Sequence, residues 1–400
     1  VNHGMIVPDT LQTIITTYTA TLTNYGTIGG KDGKIWINSK CINEQGGTIK
    51  FAWISNGEFV NNGNVTDSIH IMGGTFTNNG TVTKVDMYNI DGSTFTNETN
   101  GTVTGSISMN VGGLFTNKGT IKGYRIDAEG GKFINHGTIT KESGYVVIRF
   151  RGECELVNDT SGVIKNAAMD FLRGSHLINK GRIQDISGSL NVETQSVFTN
   201  YGTLSSFVDC KTGGTFIWGE GASSDKNIGF DSSSTFILKS GIVLDYLNPQ
   251  ILNFSYKPRV IIEESAELKN YFSDLILRKR IEAGRWNFMG LGMNTDLQAF
   301  SGVATEENPM YALAYNYTTN NWDDNYLYIN TASIPRGEGI LVYAEKETVV
   351  DFADSLRRRT DSVITVSKEN TITQRTDEGN WLAMANPYAS PIAVSAITSQ

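Results

Sequence analysis

With three cysteines, four histidines and seven prolines in 400 residues, several readings close at once. Cys41, Cys154 and Cys210 are odd in number and far apart, so neither a disulfide framework nor a zinc spacing is present, and each reads as a small buried apolar filler. His3, His70, His136 and His176 have no metal-ligand spacing and read as surface decoration, so no metal and no cofactor is expected. No apolar run approaches the ~18 residues of a membrane-spanning helix. Charged residues make up only 18% of the chain, the net charge is -8, and basic residues are scattered apart from Arg357-Arg358-Arg359, which excludes a nucleic-acid footprint. An apolar period of 3.6 over good helix formers is also missing, which rules out a helical repeat array.

What is present is a phrase: an apolar residue, Asn, a short spacer, then Gly-Thr-Ile or a close variant, as in Leu22 to Ile28, Phe76 to Val82, Phe133 to Ile139 and Phe198 to Leu204. Its register marks are Asn24, Asn43, Asn61, Asn78, Asn97, Asn117, Asn135, Asn158, Asn179 and Asn200, 17 to 23 residues apart. Two further copies without the Asn are anchored by Phe216 and Phe236. A period of about 20 residues, built from short runs of β-branched and aromatic residues between Gly and Asn corners, predicts an all-β parallel β-helix (a β-solenoid) of about twelve coils. At about 4.8 Å per coil, the array predicts a rod of about 55 to 60 Å.

Each repeated position then has an expected job. An inward Asn at a corner bonds backbone and the Asn of the next coil, so Asn78, Asn97, Asn117, Asn135, Asn158, Asn179 and Asn200 form a buried structural ladder. The apolar residue two before each Asn stacks as a core column. The Gly two after it, as in Gly80 and Gly137, is expected to supply a positive φ. At the other corner, the residues Met72, Asp91, Val111, Glu129, Arg151 and Arg173 form a column in which Glu129 and Arg151 pair on neighbouring coils.

The repeat fades after Leu247. Residues 1–247 are therefore assigned to the β-helix, 248–375 to an antiparallel β-sandwich with longer strands, and 376–400 to a second β module or completing strand. A short helix near 351–359 is compatible with the pattern. Gly284-Arg285-Trp286-Asn287-Phe288, Tyr315-Asn316-Tyr317 with Trp322, Ile334-Pro335-Arg336-Gly337-Glu338-Gly339-Ile340, and then Trp381 with Asn386-Pro387-Tyr388-Ala389-Ser390-Pro391-Ile392 occur in order. Together they resemble the β-rich modules near the C-termini of secreted Bacteroidetes surface proteins, which precede type IX secretion sorting domains. That resemblance covers about 130 residues. It implies export and surface attachment.

For chemistry, the best carboxylates are Asp127 and Asp170, both eight residues after their corner Gly, with Arg125, Arg149 and Arg173 near in register. Two coils apart, they would stand about 9 to 10 Å from each other, the spacing of an inverting glycosidase pair. Trp322, Asp323, Asp324, Tyr326 and Tyr328 offer an aromatic platform with carboxylates, a candidate binding site for a sugar. Uniform coils without long cleft-forming loops favour a non-catalytic, adhesin-like structural protein, extracellular or at the cell surface. Its expected partner is a host or cell-surface protein or a glycan. The alternative is a carbohydrate-binding or polysaccharide-degrading β-helix protein. Thr, Asn and Gly richness fits that location, and a chain opening at Val1 is expected to have lost a leader.

Overall fold

Thr-Phe-Thr-Asn is a four-residue strand whose alternate side chains must point to opposite faces, and this small unit generates the fold. In the computed structural model, Thr75–Asn78 pairs in parallel with Glu58–Asn61 below and Thr94–Asn97 above, with Phe over Phe and Asn over Asn. The description covers residues 1–354 except 7–12, 17–19, 31–33, 89–91, 111, 247–250, 270–274, 291–294, 297–299, 301–302, 317–320, 323–332 and 335–338. Among these residues the structure is all-β, a parallel β-helix of about twelve coils followed by antiparallel sheet.

Each coil contributes to two parallel sheets. The first holds the Asn-ending strands, from Thr21–Asn24 to Val197–Asn200, and continues into Thr215–Trp218. The second holds the strand that follows each corner, such as Thr81–Met87, Arg125–Ala128 and Val146–Arg151. Their inward faces meet in a core of stacked rings: Phe59, Phe76, Phe95, Phe115 and Phe133 form one column with centroids 4.3 to 5.0 Å apart, and Phe133 meets Phe150 of the second sheet edge-on at 6.3 Å. Full burial of each ring contributes about 1.5–3 kcal/mol before packing terms.

The Asn ladder is present, and it is longer than its strongest repeats. Asn2, Asn24, Asn43, Asn61, Asn78, Asn97, Asn117, Asn135, Asn158, Asn179 and Asn200 are joined by successive Nδ2-to-Oδ1 bonds of 2.7 to 2.8 Å. From Asn24 onward each of these side chains is fully buried. The remaining amide hydrogen is given to the carbonyl of the following corner, as Asn97 does to Gly101 at 3.0 Å. Above Asn200 the register position is taken by Trp218, and the ladder stops there.

The glycine after the Asn has a different job from the one expected. Gly80 and Gly137 are not in the left-handed region, which is occupied instead by glycines of the opposite corner such as Gly74, Gly131 and Gly152. What excludes a side chain is the coil below: a Cβ on Gly80 would lie 2.0 Å from the carbonyl oxygen of Gly63, and one on Gly137 2.1 Å from that of Gly119. Close stacking of corners, rather than backbone handedness, demands the residue.

Chain contacts divide the molecule into two units, 1–235 with 251–258, and 236–250 with 259–400. In the second unit, Arg259–Glu263 pairs in parallel with Leu275–Ile281, which pairs antiparallel with Thr348–Asp354. Residues 351–354 are thus strand, not the start of a helix. Trp286–Gly290, Gly339–Ala344 and Met310–Asn316 form an antiparallel sheet, with Met289, Ile340, Val342, Ala344, Met310 and Ala312 on its buried face. The segment 376–400 lies outside the described residues.

Candidate functional site

Because the inward positions repeat, the side chains that distinguish one coil from another lie on the outer faces. On the second sheet one outward column runs in unbroken register: Trp36, Trp53, His70, Asp86, Ser108, Asp127, Arg149, Asp170, Asn191 and Asp209. Each is flanked along its own strand by buried core residues, as Asp127 is by Ile126 and Ala128. This alternation fixes the column outward.

The first part of the column is aromatic. Trp36 stacks on Trp53 at 5.0 Å, Trp53 on His70 at 4.8 Å, and His70 on Tyr88 at 5.3 Å, with Phe51 tilted against His70 at 4.8 Å. His70 is therefore part of a ring ladder and not surface decoration; only 14% of its side chain is exposed, and its Nε2 lies 3.3 Å from Asp86 Oδ2. Each such contact is worth about 0.5–1.5 kcal/mol beyond burial. Inside the stack, ring faces are occupied by neighbouring coils, and edges are what the rod presents.

Beyond the rings the column is polar. Asp86 is buried and held by Lys84 Nζ at 2.7 Å. That contact raises the Lys84 ammonium above its ordinary range, against an opposing desolvation. Asp127 is paired with Arg125 on its own strand. Arg149, directly above Asp127, reaches upward to Asp170 at 3.3 Å, and Asn191 donates to Asp170 at 2.8 Å. With Arg149 turned away, Asp127 Oδ1 is covered and makes no hydrogen bond.

The two aspartates singled out in the sequence thus do share one column, two strands apart. Arg149 stands between them in register, where an inverting pair would need its water and sugar. On the neighbouring outward row, Arg151 Nη1 meets Glu129 Oε1 at 3.8 Å, as expected. Arg151 pairs in register with Leu172, however, while Arg173 sits in the turn at φ 57° and does not extend the column. His136 also has a partner, Asp159 Oδ2 at 3.0 Å from its Nδ1.

The cysteines are buried and free. Burial pushes the Cys41 thiol up to about 12 and, with smaller opposing hydrogen bonds, the Cys154 thiol up to about 11; Cys210 is raised well above the ordinary value for the same reason. Among the described residues there is no cluster of three His, Cys, Asp or Glu able to hold a metal ion, and no helix long and apolar enough to cross a membrane.

Of the platform expected in the second half, Trp322 is placed by its backbone, opposite Tyr315. Asp323, Asp324, Tyr326 and Tyr328 lie outside the described residues. Sequence reasoning missed Trp36, Trp53, His70 and Tyr88. A signal existed: Trp36, Trp53 and His70 each stand seven or eight residues before the next ladder Asn, at Asn43, Asn61 and Asn78. The chain matches no protein-family model, no curated protein and no solved structure.

Proposed function

We propose that this chain is a non-catalytic, adhesin-like β-helical rod that works outside the cell or at its surface and presents the outer face of its second sheet to a partner. The observation that carries the reading is the division of labour between the inward and outward positions of each coil. Inward positions repeat one Phe and Asn pattern from coil to coil, while the outward column changes from aromatic to acidic to basic. Repetition of the inside serves stability; variation outside is what a specific partner reads.

The carboxylates support presentation over catalysis. Asp127 and Asp170 are engaged by Arg125 and Arg149, and the corners between described strands on the Asn side are short, as between Asn78 and Thr81 or Asn135 and Thr138. An outer location draws on the Thr, Asn and Gly composition and on the resemblance of the second half to secreted surface modules.

The test is biolayer interferometry of the intact chain against immobilised glycans and cell-surface proteins, beside the triple variant Asp127→Lys, Asp170→Lys, Asp209→Lys. The reading expects saturable binding that the triple variant loses without unfolding. Release of reducing ends from a polysaccharide, abolished by Asp127→Asn, contradicts it in favour of an enzyme.

A further inference from the structure

The outer face of the first sheet carries its charges in a pattern, and the pattern is self-complementary. Two outward columns run up that face, one from Thr21 to His176 and one from Thr23 to Ile178, with one residue of each per coil in unbroken parallel register. With the coil of Asn24 as the first, the Lys, Arg, Asp and Glu side chains in these two described columns are Lys40 and Glu58 on coils two and three, and Lys132 and Glu155 on coils seven and eight. Each Lys binds the Glu one coil above it at 2.9 Å, so the two dyads have the same order along the rod. Their side chains are 32 to 47% exposed, which leaves this face open to solvent.

The second column has no charge. Its members are Ile42, Val60, Ile134, Val157 and Ile178, with threonine in the other coils; Val157 is buried and the rest are half-buried. Short β-branched side chains on parallel strands make an even surface, which a second sheet can meet at about 10 Å.

The charges choose the partner and its register. A two-fold axis lying along the strands turns one rod end for end and sets each column over its own copy. With that axis at Thr96 on coil five, coil two faces coil eight and coil three faces coil seven, so Lys40 opposes Glu155 of a second copy and Glu58 opposes its Lys132. In the uncharged column Ile42 meets Val157, Val60 meets Ile134, Thr77 meets Thr116, and Thr96 meets itself. A slip of one coil either way puts Lys40 against Lys132 or Glu58 against Glu155, so like charges penalise the neighbouring registers. Parallel rods would instead lay the charged column over the apolar one and strip the dyads of water without giving them a partner. The antiparallel overlap covers coils one to nine, about 40 Å by 13 Å on each copy, or about 1,000 Å² in total, near the low end of specific interfaces. We infer that two copies of this chain pair face to face through the first sheet, antiparallel and centred on Thr96, as a weak, concentration-dependent dimer. Such a dimer carries the outer face of the second sheet twice, so a partner displayed on a surface is held at two points.

The experiment is sedimentation velocity of the full chain over a wide concentration range. The two-site swap Lys40→Glu with Glu58→Lys keeps an ion pair within each chain, because the two side chains exchange coils, but it sets like charges together across the axis. The four-site swap, which adds Lys132→Glu and Glu155→Lys, restores opposite charges there. Both swaps should keep the wild-type urea midpoint. A short bismaleimide reads the register independently, on Thr96→Cys at the axis and on Ile217→Cys, which lies on coil eleven beyond the overlap; the native thiols are buried.

The expected result is a wild-type chain that passes from monomer to dimer as concentration rises, self-association weaker by about tenfold or more in the two-site swap, and recovery in the four-site swap. Thr96→Cys should be linked to itself and Ile217→Cys left unlinked. A chain that stays monomeric at every concentration overturns the inference, as does a dimer indifferent to the two-site swap or one that the four-site swap fails to restore. Linking of Ile217→Cys in place of Thr96→Cys overturns it too. Should a swap lower the urea midpoint, the two cysteine variants still decide. Each readout is separate from partner binding by the second sheet, which stands or falls on its own test.

Discussion

Truncating one rung of the Asn ladder should cost more in its middle than at its end, and the structure sets the ratio. Asn117 accepts from Asn97 Nδ2 at 2.8 Å and donates to Asn135 Oδ1 at 2.7 Å and to Gly119 O at 3.3 Å. In Asn117→Ala, Asn97 keeps its bond to Gly101 and a long 3.4 Å contact to Thr120 O but loses its short ladder acceptor, and Asn135 Oδ1 loses its donor. Gly119 O still accepts from Thr138. Two fully buried polar groups lose their short ladder bond. At about 1–3 kcal/mol each, less the desolvation recovered by deleting the Asn117 amide, the variant should lose about 2–4 kcal/mol. Asn200 has a ladder neighbour on one side only, because Trp218 follows it. Asn200→Ala takes from Asn179 Nδ2 its ladder acceptor, leaving the 3.5 Å contact to Thr203 O, and from Gly202 N–H a long 3.3 Å acceptor, and should lose about 1–2 kcal/mol. Urea unfolding of the full chain, followed by far-UV circular dichroism, reads the difference as a shift of midpoint at unchanged slope. Equal losses at the two sites, or a loss below about 0.5 kcal/mol at Asn117, would refute the ladder as an energetic element.

Other expectations follow from the same contacts. Gly80→Ala drives a Cβ against the Gly63 carbonyl and should cost about 1–3 kcal/mol or more, whereas Gly144→Ala, at φ 79° with open space around it, should cost about 1–2 kcal/mol, both read by thermal unfolding. The three thiols should resist a thiol reagent at pH 8 in the native chain and all react in urea, since burial holds each in the protonated form. In the second unit, Asp351 takes a bidentate contact from Arg278 at 2.8 and 3.0 Å and one from Arg259 at 2.9 Å, and chiefly the Arg278 bond holds its carboxyl below the ordinary 3.8. A depressed folded value means stability that is present above the unfolded value and is lost as pH falls from about 4 toward the folded one. Asp351→Asn should remove that part of the acid dependence, and an unchanged profile between pH 5 and 2 contradicts the assignment.

The repeat was legible because its cause is local and recurs: one Asn per coil marks a register that every coil must keep, and the Phe two residues earlier inherits it. The same regularity misled at Gly80. Sequence spacing reports that a glycine is required, but a positive φ and a carbonyl 2.0 Å from the missing Cβ demand the same residue, and only the stacked coils tell them apart. Asp127 and Asp170 were found because each stands eight residues after its corner Gly, Gly119 and Gly162. Asp86 was hidden because the register shifts between Val82 and Lys84. The ring ladder was missed for another reason: Trp36, Trp53 and His70 share no residue type, and their kinship is position alone. Tyr88 joins them through ring geometry from a different row.

The central claim is that repeated inward residues hold the rod together while the variable outward column of the second sheet does the binding. The direct measurement is binding of the full chain to immobilised glycans and cell-surface proteins in the triple variant Asp127→Lys, Asp170→Lys, Asp209→Lys and in Asn117→Ala, each with its urea midpoint. Loss of binding at an unchanged midpoint in the first, and a lowered midpoint at unchanged affinity in the second, is the predicted pair. Binding lost in Asn117→Ala while still folded, or untouched in the triple variant, would contradict it.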